Sequence, residues 1–171
     1  SLLAPAESVD SNSGPSDFEV GSNIEVLEWP PGLPRFDLVA ARVAPTGSTI
    51  IVLPDAGRAG PLGRGLQAAG HVVIELPPGL SDRERTARWA AACDGSCIVI
   101  GGRTAIWAPV PDLAAVIVLD DGDEALQEER APTWHARDVA VERAAVAGAT
   151  TTIVSPAPTL EATSLVGEER V

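Results

Sequence analysis

Lysine, methionine and tyrosine are absent from the 171 residues, and all twelve basic side chains are arginine. Without lysine the chain lacks the compact ammonium that a glycine-rich loop uses to hold the β- and γ-phosphates of a nucleotide. Arginine's planar fork does not fit where an ammonium sits among backbone N–H groups. The missing methionine, with Ser1 at the start, leads to the expectation of an excised fragment or an incomplete reading frame. No basic start is followed by an apolar stretch, so no secretory leader is expected. The longest apolar run, Ala114 to Leu119, is far too short to span a bilayer. The cytoplasm is therefore the default compartment, with no membrane partner. Cysteine is scarce as well. Cys93 and Cys97 stand in Cys-Asp-Gly-Ser-Cys, with only His71 and His135 to supplement them, so two thiols flanking a helix-to-strand turn are expected and no metal. Positive charge is also short. A formal net charge of −12 opposes tight, salt-sensitive binding to a phosphate backbone. A nucleic-acid role is then confined to a local patch or to parts outside this chain.

What is present is core-forming sequence, 45% of it hydrophobic, in a length that suits one domain. Residues 1–22 are rich in Ser, Pro, Asp and Glu without apolar periodicity and read as a disordered linker. The domain follows over 23–171. Strands are predicted at Ile24–Trp29, Ser48–Leu53, His71–Leu76, Ser96–Ile100, Ala114–Leu119 and Thr150–Val154. Helices are predicted at Phe36–Val43, Leu62–Ala69, Ser81–Cys93, His135–Ala147 and Thr159–Glu169, with Ser81 and Glu84 spaced as a capping box. Continuous apolar strands separated by helices imply an α/β domain with a mostly parallel sheet covered on both faces. Ligands of such sheets gather at the carboxyl ends of the strands.

Three constellations could carry chemistry there. Asp120-Asp121-Gly122-Asp123-Glu124 ends an apolar strand, where carboxylates can hold Mg²⁺, although a solvated acidic turn is the blander reading. Asp55 to Gly65 is a glycine-rich loop, with Glu75 about 20 residues on, as in a Rossmann unit that binds NAD. Its glycines run in the wrong order, and Pro61 removes a donor near the pyrophosphate position, so a loop entering a surface helix is preferred. Arg103 and Trp107, with Trp134 and Arg137, could pair phosphates and stack bases; ordinary packing of both tryptophans at the sheet edge is the alternative. His135 opens a helix and reads as structural.

Taken in order, several segments resemble the primosomal protein N′ (PriA) family of DExH-type helicases. Gly79-Leu80-Ser81-Asp82-Arg83-Glu84-Arg85 with Trp89 is similar to the family's GLSxxER…W helix. Ile98 to Pro109 is similar to its IVIGTRSAxFAP segment, Pro132 to Asp138 to PRYHARD, and Ser155 to Glu161 to SATPSLE. The resemblance runs from about Trp29 to Leu160 and implies a three-layer RecA-like, P-loop NTPase-type lobe. It also implies replication restart at stalled forks, with DNA and primosome proteins as partners of the full-length protein. Family ligands would be ATP, Mg²⁺ and a zinc site in regions not present here, so no cofactor is expected in this fragment.

The departures from the family pattern carry the functional expectation. Where the family has GxTGSGKT, this chain has Trp29-Pro30-Pro31-Gly32-Leu33-Pro34-Arg35, with three prolines and neither the lysine nor the Mg²⁺-binding hydroxyl. DEEH has become Asp120-Asp121-Gly122-Asp123, and Ala157 replaces the SAT threonine. Losing one charge-stabilising donor typically costs ~10²–10³ in rate, and several are missing together. The expectation is a helicase-degenerate lobe of the kind found in high-GC bacteria. In it Asp120 and Asp121 are vestigial Walker B acids, and Pro30, Pro31, Gly32 and Arg35 form a degenerate loop. Arg103, Trp107, Trp134 and Arg137 are its residual DNA-facing positions. An active ATP-dependent 3′–5′ helicase fragment and an NAD-binding Rossmann domain are the alternatives.

Overall fold

Six of the apolar runs pair into a single all-parallel sheet in the order β1-β8-β5-β2-β4-β3. The strands are β1 (Ile24–Glu28), β2 (Ser48–Val52), β3 (Val73–Leu76), β4 (Ile98–Gly101), β5 (Leu113–Leu119) and β8 (Thr150–Ser155). A two-stranded antiparallel ribbon, β6 (Gln127–Glu128) with β7 (Trp134–His135), stands apart from it. The helices are α1 (Phe36–Ala40), α2 (Ala59–Ala68), α3 (Asp82–Cys93), α4 (Ala136–Ala147) and α5 (Leu160–Ser164). This computed structural model describes residues 23–30 and 32–166. The expected linker over 1–22, Pro31 and the end of the last predicted helix lie outside the described residues.

Strand alternation divides the core into two layers. Ile51, Ile100, Ile117 and Val154 turn to one face, under Leu38 and Val39 of α1 and Leu66 of α2. Ile50, Val116, Val118 and Ile153 turn to the other, under Ala140 and Ala144 of α4 and Ala162 of α5. Val99 joins Ala92 of α3 beside that second layer. The β2–β4, β2–β5 and β5–β8 registers end at Val52↔Gly101, Val52↔Val118 and Leu119↔Val154, so the loops after these strands emerge along one edge. The architecture is the three-layer RecA-like α/β arrangement expected from the sequence.

Element types match the sequence reading, while several boundaries move. Glu84 and Ser81 form the reciprocal capping box at the start of α3. His135 lies outside α4 and caps it, its Nδ1 accepting from the Arg137 N–H at 3.1 Å. The α2 helix starts at Ala59, three residues before its predicted start, and takes Pro61 into its first turn, where a missing N–H costs nothing. Three glycines of the glycine-rich segment therefore sit inside a helix, and two of them, Gly63 and Gly65, serve close packing. A Cβ on Gly65 would lie 2.5 Å from the Phe36 ring, and one on Gly63 would strike the Glu75 carboxylate.

Candidate functional site

Two separate regions lie along the carboxyl edge of the sheet. The first is a charged corner where β1, β8 and β5 end. Arg35, at the amino-terminal cap of α1, reaches over the end of β8 and grips Asp120 with both guanidinium arms, Nη1–Oδ2 at 2.5 Å and Nη2–Oδ1 at 2.8 Å. Asp120 follows β5 with a left-handed backbone, φ 56°, and its N–H donates to the Val154 carbonyl at 2.7 Å. The pair is part-buried and bidentate, worth roughly 1 kcal/mol in net stability. Upstream, Leu33 donates to the Pro30 carbonyl in a turn through Gly32, at φ +90°. Pro30 and Pro34 have no N–H to offer a ligand.

Asp121, the next residue, points inward and is fully buried. Its Oδ2 accepts from the Thr159 hydroxyl at 2.6 Å and the Thr159 N–H at 3.3 Å, and faces Arg137 Nη1 at 3.6 Å. Thr159 completes the knot. Its hydroxyl oxygen accepts from Arg137 Nη1 at 2.9 Å and from the Ala162 N–H at 3.1 Å, capping α5. Arg137 Nε donates to Asp138 at 2.9 Å. Burial and then the neighbouring Arg137 charge hold His135 below its ordinary imidazole pKa.

The second region is a groove of about 420 Å³ where β2, β3 and β4 end. Pro54–Ala56, Pro77–Leu80 and Gly102–Thr104 line it, with Arg85 and Trp89 of α3 along one side. Arg103 stands at its rim, donating to the Ala125 carbonyl and to the Glu128 carboxylate, both at 3.2 Å. Its buried Nε has no partner among the described residues. The Glu128 carboxyl lies below its usual range because the Arg130 N–H and then Arg103 donate to it.

Of the four residues proposed from sequence as DNA-facing, the structure brings Trp107 and Trp134 together and sets Arg103 and Arg137 apart from each other. Arg103 lies at this groove. Trp107 is 47% exposed on the neighbouring 3-10 turn. Trp134 packs edge-on against Trp107, ring centroids 5.5 Å apart, with its other side on the core. Arg137 is buried among Asp121, Asp138 and Thr159, so its guanidinium faces the interior. Sequence reasoning did not anticipate the Arg35–Asp120 clasp or the part Thr159 plays. Only the Arg-for-Lys exchange hinted at the first, and nothing local marks the second.

Cys93 is exposed at the end of α3, and Cys97 is buried before β4. No cluster of three His, Cys, Asp or Glu side chains able to hold a metal occurs among the described residues. No described helix is long and apolar enough to cross a membrane.

No protein-family model matches the chain. It is similar to the probable replication restart protein PriA of Mycobacterium tuberculosis (strain CDC 1551 / Oshkosh). The two are 40% identical over 136 residues, covering 77% of this chain and 21% of that protein. Replication restart protein PriA of Chlamydia pneumoniae is 43% identical over 84 residues, 48% of this chain and 11% of its own. That of Treponema pallidum (strain Nichols) is 36% identical over 94 residues, 54% of this chain and 14% of its own. The chain spans about a fifth or less of the length of these curated relatives.

Proposed function

We propose, on the premise that this chain belongs to the replication restart protein PriA family, that it serves replication restart by binding DNA or primosome proteins and turns over no ATP. The observation that carries this reading is the Arg35–Asp120 pair. In a working phosphate-loop enzyme the loop cation holds phosphate oxygens and the strand-end acid holds Mg²⁺. Here each neutralises the other across two hydrogen bonds. A triphosphate would have to break that pair and would then meet prolines where backbone donors are needed. Asp121 is a poor substitute, because it is fully buried and its Oδ2 is taken by Thr159 and Arg137. The residues present do not fit ATP–Mg²⁺, and no chemical step is assigned to them.

What remains open to a ligand is the groove beside Arg103. Two arginines, Arg85 and Arg103, line it with Trp89, whose ring is part-buried against the core, and with proline and glycine backbone. That combination suits a single strand, the cations tracking phosphates and the ring offering a stacking face. A phosphate would take Arg103 from Glu128, a part-exposed partner that releases it at little cost.

The test is ATP turnover and ATP–Mg²⁺ binding by the full-length protein containing this chain, with and without single-stranded DNA. Turnover at background and no saturable binding are expected, and Arg35→Lys alone restores neither. DNA-stimulated hydrolysis by the unaltered protein would refute the reading.

A further inference from the structure

Along one flank of α4, between that helix and the segment that leads from the 3-10 turn into β5, lies a second groove, of about 790 Å³. Trp107, Val110 and Leu113 form one wall. Val139, Glu142, Arg143 and Val146 form the other, at spacings of three, one and three residues that place them on one helical stripe. Trp107 is 47% exposed and Val146 89%, so two of the large apolar side chains left in solvent meet here. Scattered singly, such residues carry no message; gathered in a concave stripe, they mark a docking site.

Charge defines what the groove accepts. Asp112, Asp138 and Glu142 stand around it. Asp138 is engaged by Arg137, while Asp112 and Glu142 have no cationic partner among the described residues. The single cation in the lining, Arg143, is turned inward, its guanidinium donating to the Ile106 and Ala108 carbonyls. An acidic rim around an apolar floor repels nucleic acid and complements a cationic amphipathic helix. The stripe from Val139 to Val146 covers seven helical steps, ~10 Å at the helical rise, which is the contact length of two turns of a partner helix.

We propose that this groove is a protein-docking site whose occupant is a basic, amphipathic helix supplied by another polypeptide, on a face distinct from the Arg103 groove. The probe is a synthetic helix of leucine and lysine, about four turns long, titrated calorimetrically and by tryptophan emission into the 171-residue chain. A leucine–glutamate helix of equal length serves as control. The leucine–lysine helix is expected to bind saturably and the control not at all. Val146→Asp is expected to weaken binding at least tenfold. That substitution lies on the solvent face, so circular dichroism should be unchanged. It also adds negative charge, so attraction to the overall acidity of the chain would strengthen with it. Equal or tighter binding by Val146→Asp therefore overturns the proposal. So does self-association of the unaltered chain that Val146→Asp abolishes, which would make a second copy the occupant. Displacement of the peptide by a single-stranded oligonucleotide would make the groove a nucleic-acid surface and overturn it equally.

Discussion

The corner at the ends of β1, β8 and β5 and the groove at the ends of β2, β3 and β4 share one sheet and one edge, yet they handle charge in opposite ways. In the corner, Arg35 closes on Asp120, and Arg137 closes on Asp121, Asp138 and Thr159. In the groove, Arg85 and Arg103 make only longer contacts, 3.2 to 3.4 Å, with exposed or part-exposed partners. The Arg137–Asp121 pair is buried and lost to ligands. The part-exposed Arg35–Asp120 pair is held by two short hydrogen bonds, and the longer contacts of Arg103 leave its guanidinium easier to recruit. The difference teaches that acids at strand ends can serve architecture as well as a ligand. Asp121 is the clearest instance, a strand-end acid that ties β5 to α5 and α4.

Breaking the corner should have the largest effect. Asp121→Ala leaves the Arg137 guanidinium buried without one of its two carboxylates and the Thr159 hydroxyl proton without its acceptor. It is expected to cost about 3 kcal/mol of stability, read as a lower midpoint in urea. A loss near zero would mean that Asp138 alone satisfies Arg137. Next in size is Arg103→Ala in the groove. It should weaken single-stranded DNA binding roughly tenfold while leaving the unfolding midpoint near that of the parent. The log–log salt slope should fall by about 0.7; an unchanged slope would show that Arg103 meets no phosphate. The smallest effect sharpens the contrast by pH. The native pKa of His135 lies below its ordinary value of 6.5, so the folded state holds fewer protons than the unfolded chain in that range. Its contribution to stability is complete above about pH 6.5 and is lost as pH falls through the lowered native value. His135→Asn keeps a cap acceptor without a titrating group. Urea midpoints of the parent should therefore fall below pH 6.5 more steeply than those of the variant, by no more than about 1.4 kcal/mol per pH unit.

Much of the fold was legible because its strands are buried on both faces. Apolar runs such as Ile50–Val52 and Ala114–Leu119 have no polar side to blur the signal. Start signals read equally well where they are local, as at Ser81 and Glu84. Boundaries were harder at α2, where the glycines and Pro61 argued for a loop. Tertiary packing overrode propensity there, because Gly65 must let the Phe36 ring approach. Of the candidate site, residue types were visible but not their directions. Arg103 and Arg137 were both read as DNA-facing, and one lies at a rim while the other is inside.

The sequence by itself determined the alternating α/β order, the family likeness and, after β1, a loop with three prolines and no lysine. Each of these is a property of residue type and spacing along the chain. Only the tertiary structure decided which arginine meets which acid. Arg35 and Asp120 are 85 residues apart, and nothing short of the sheet order, with β8 between β1 and β5, brings their side chains within reach. Pairing across that distance depends on where strands end in space, which no local pattern encodes.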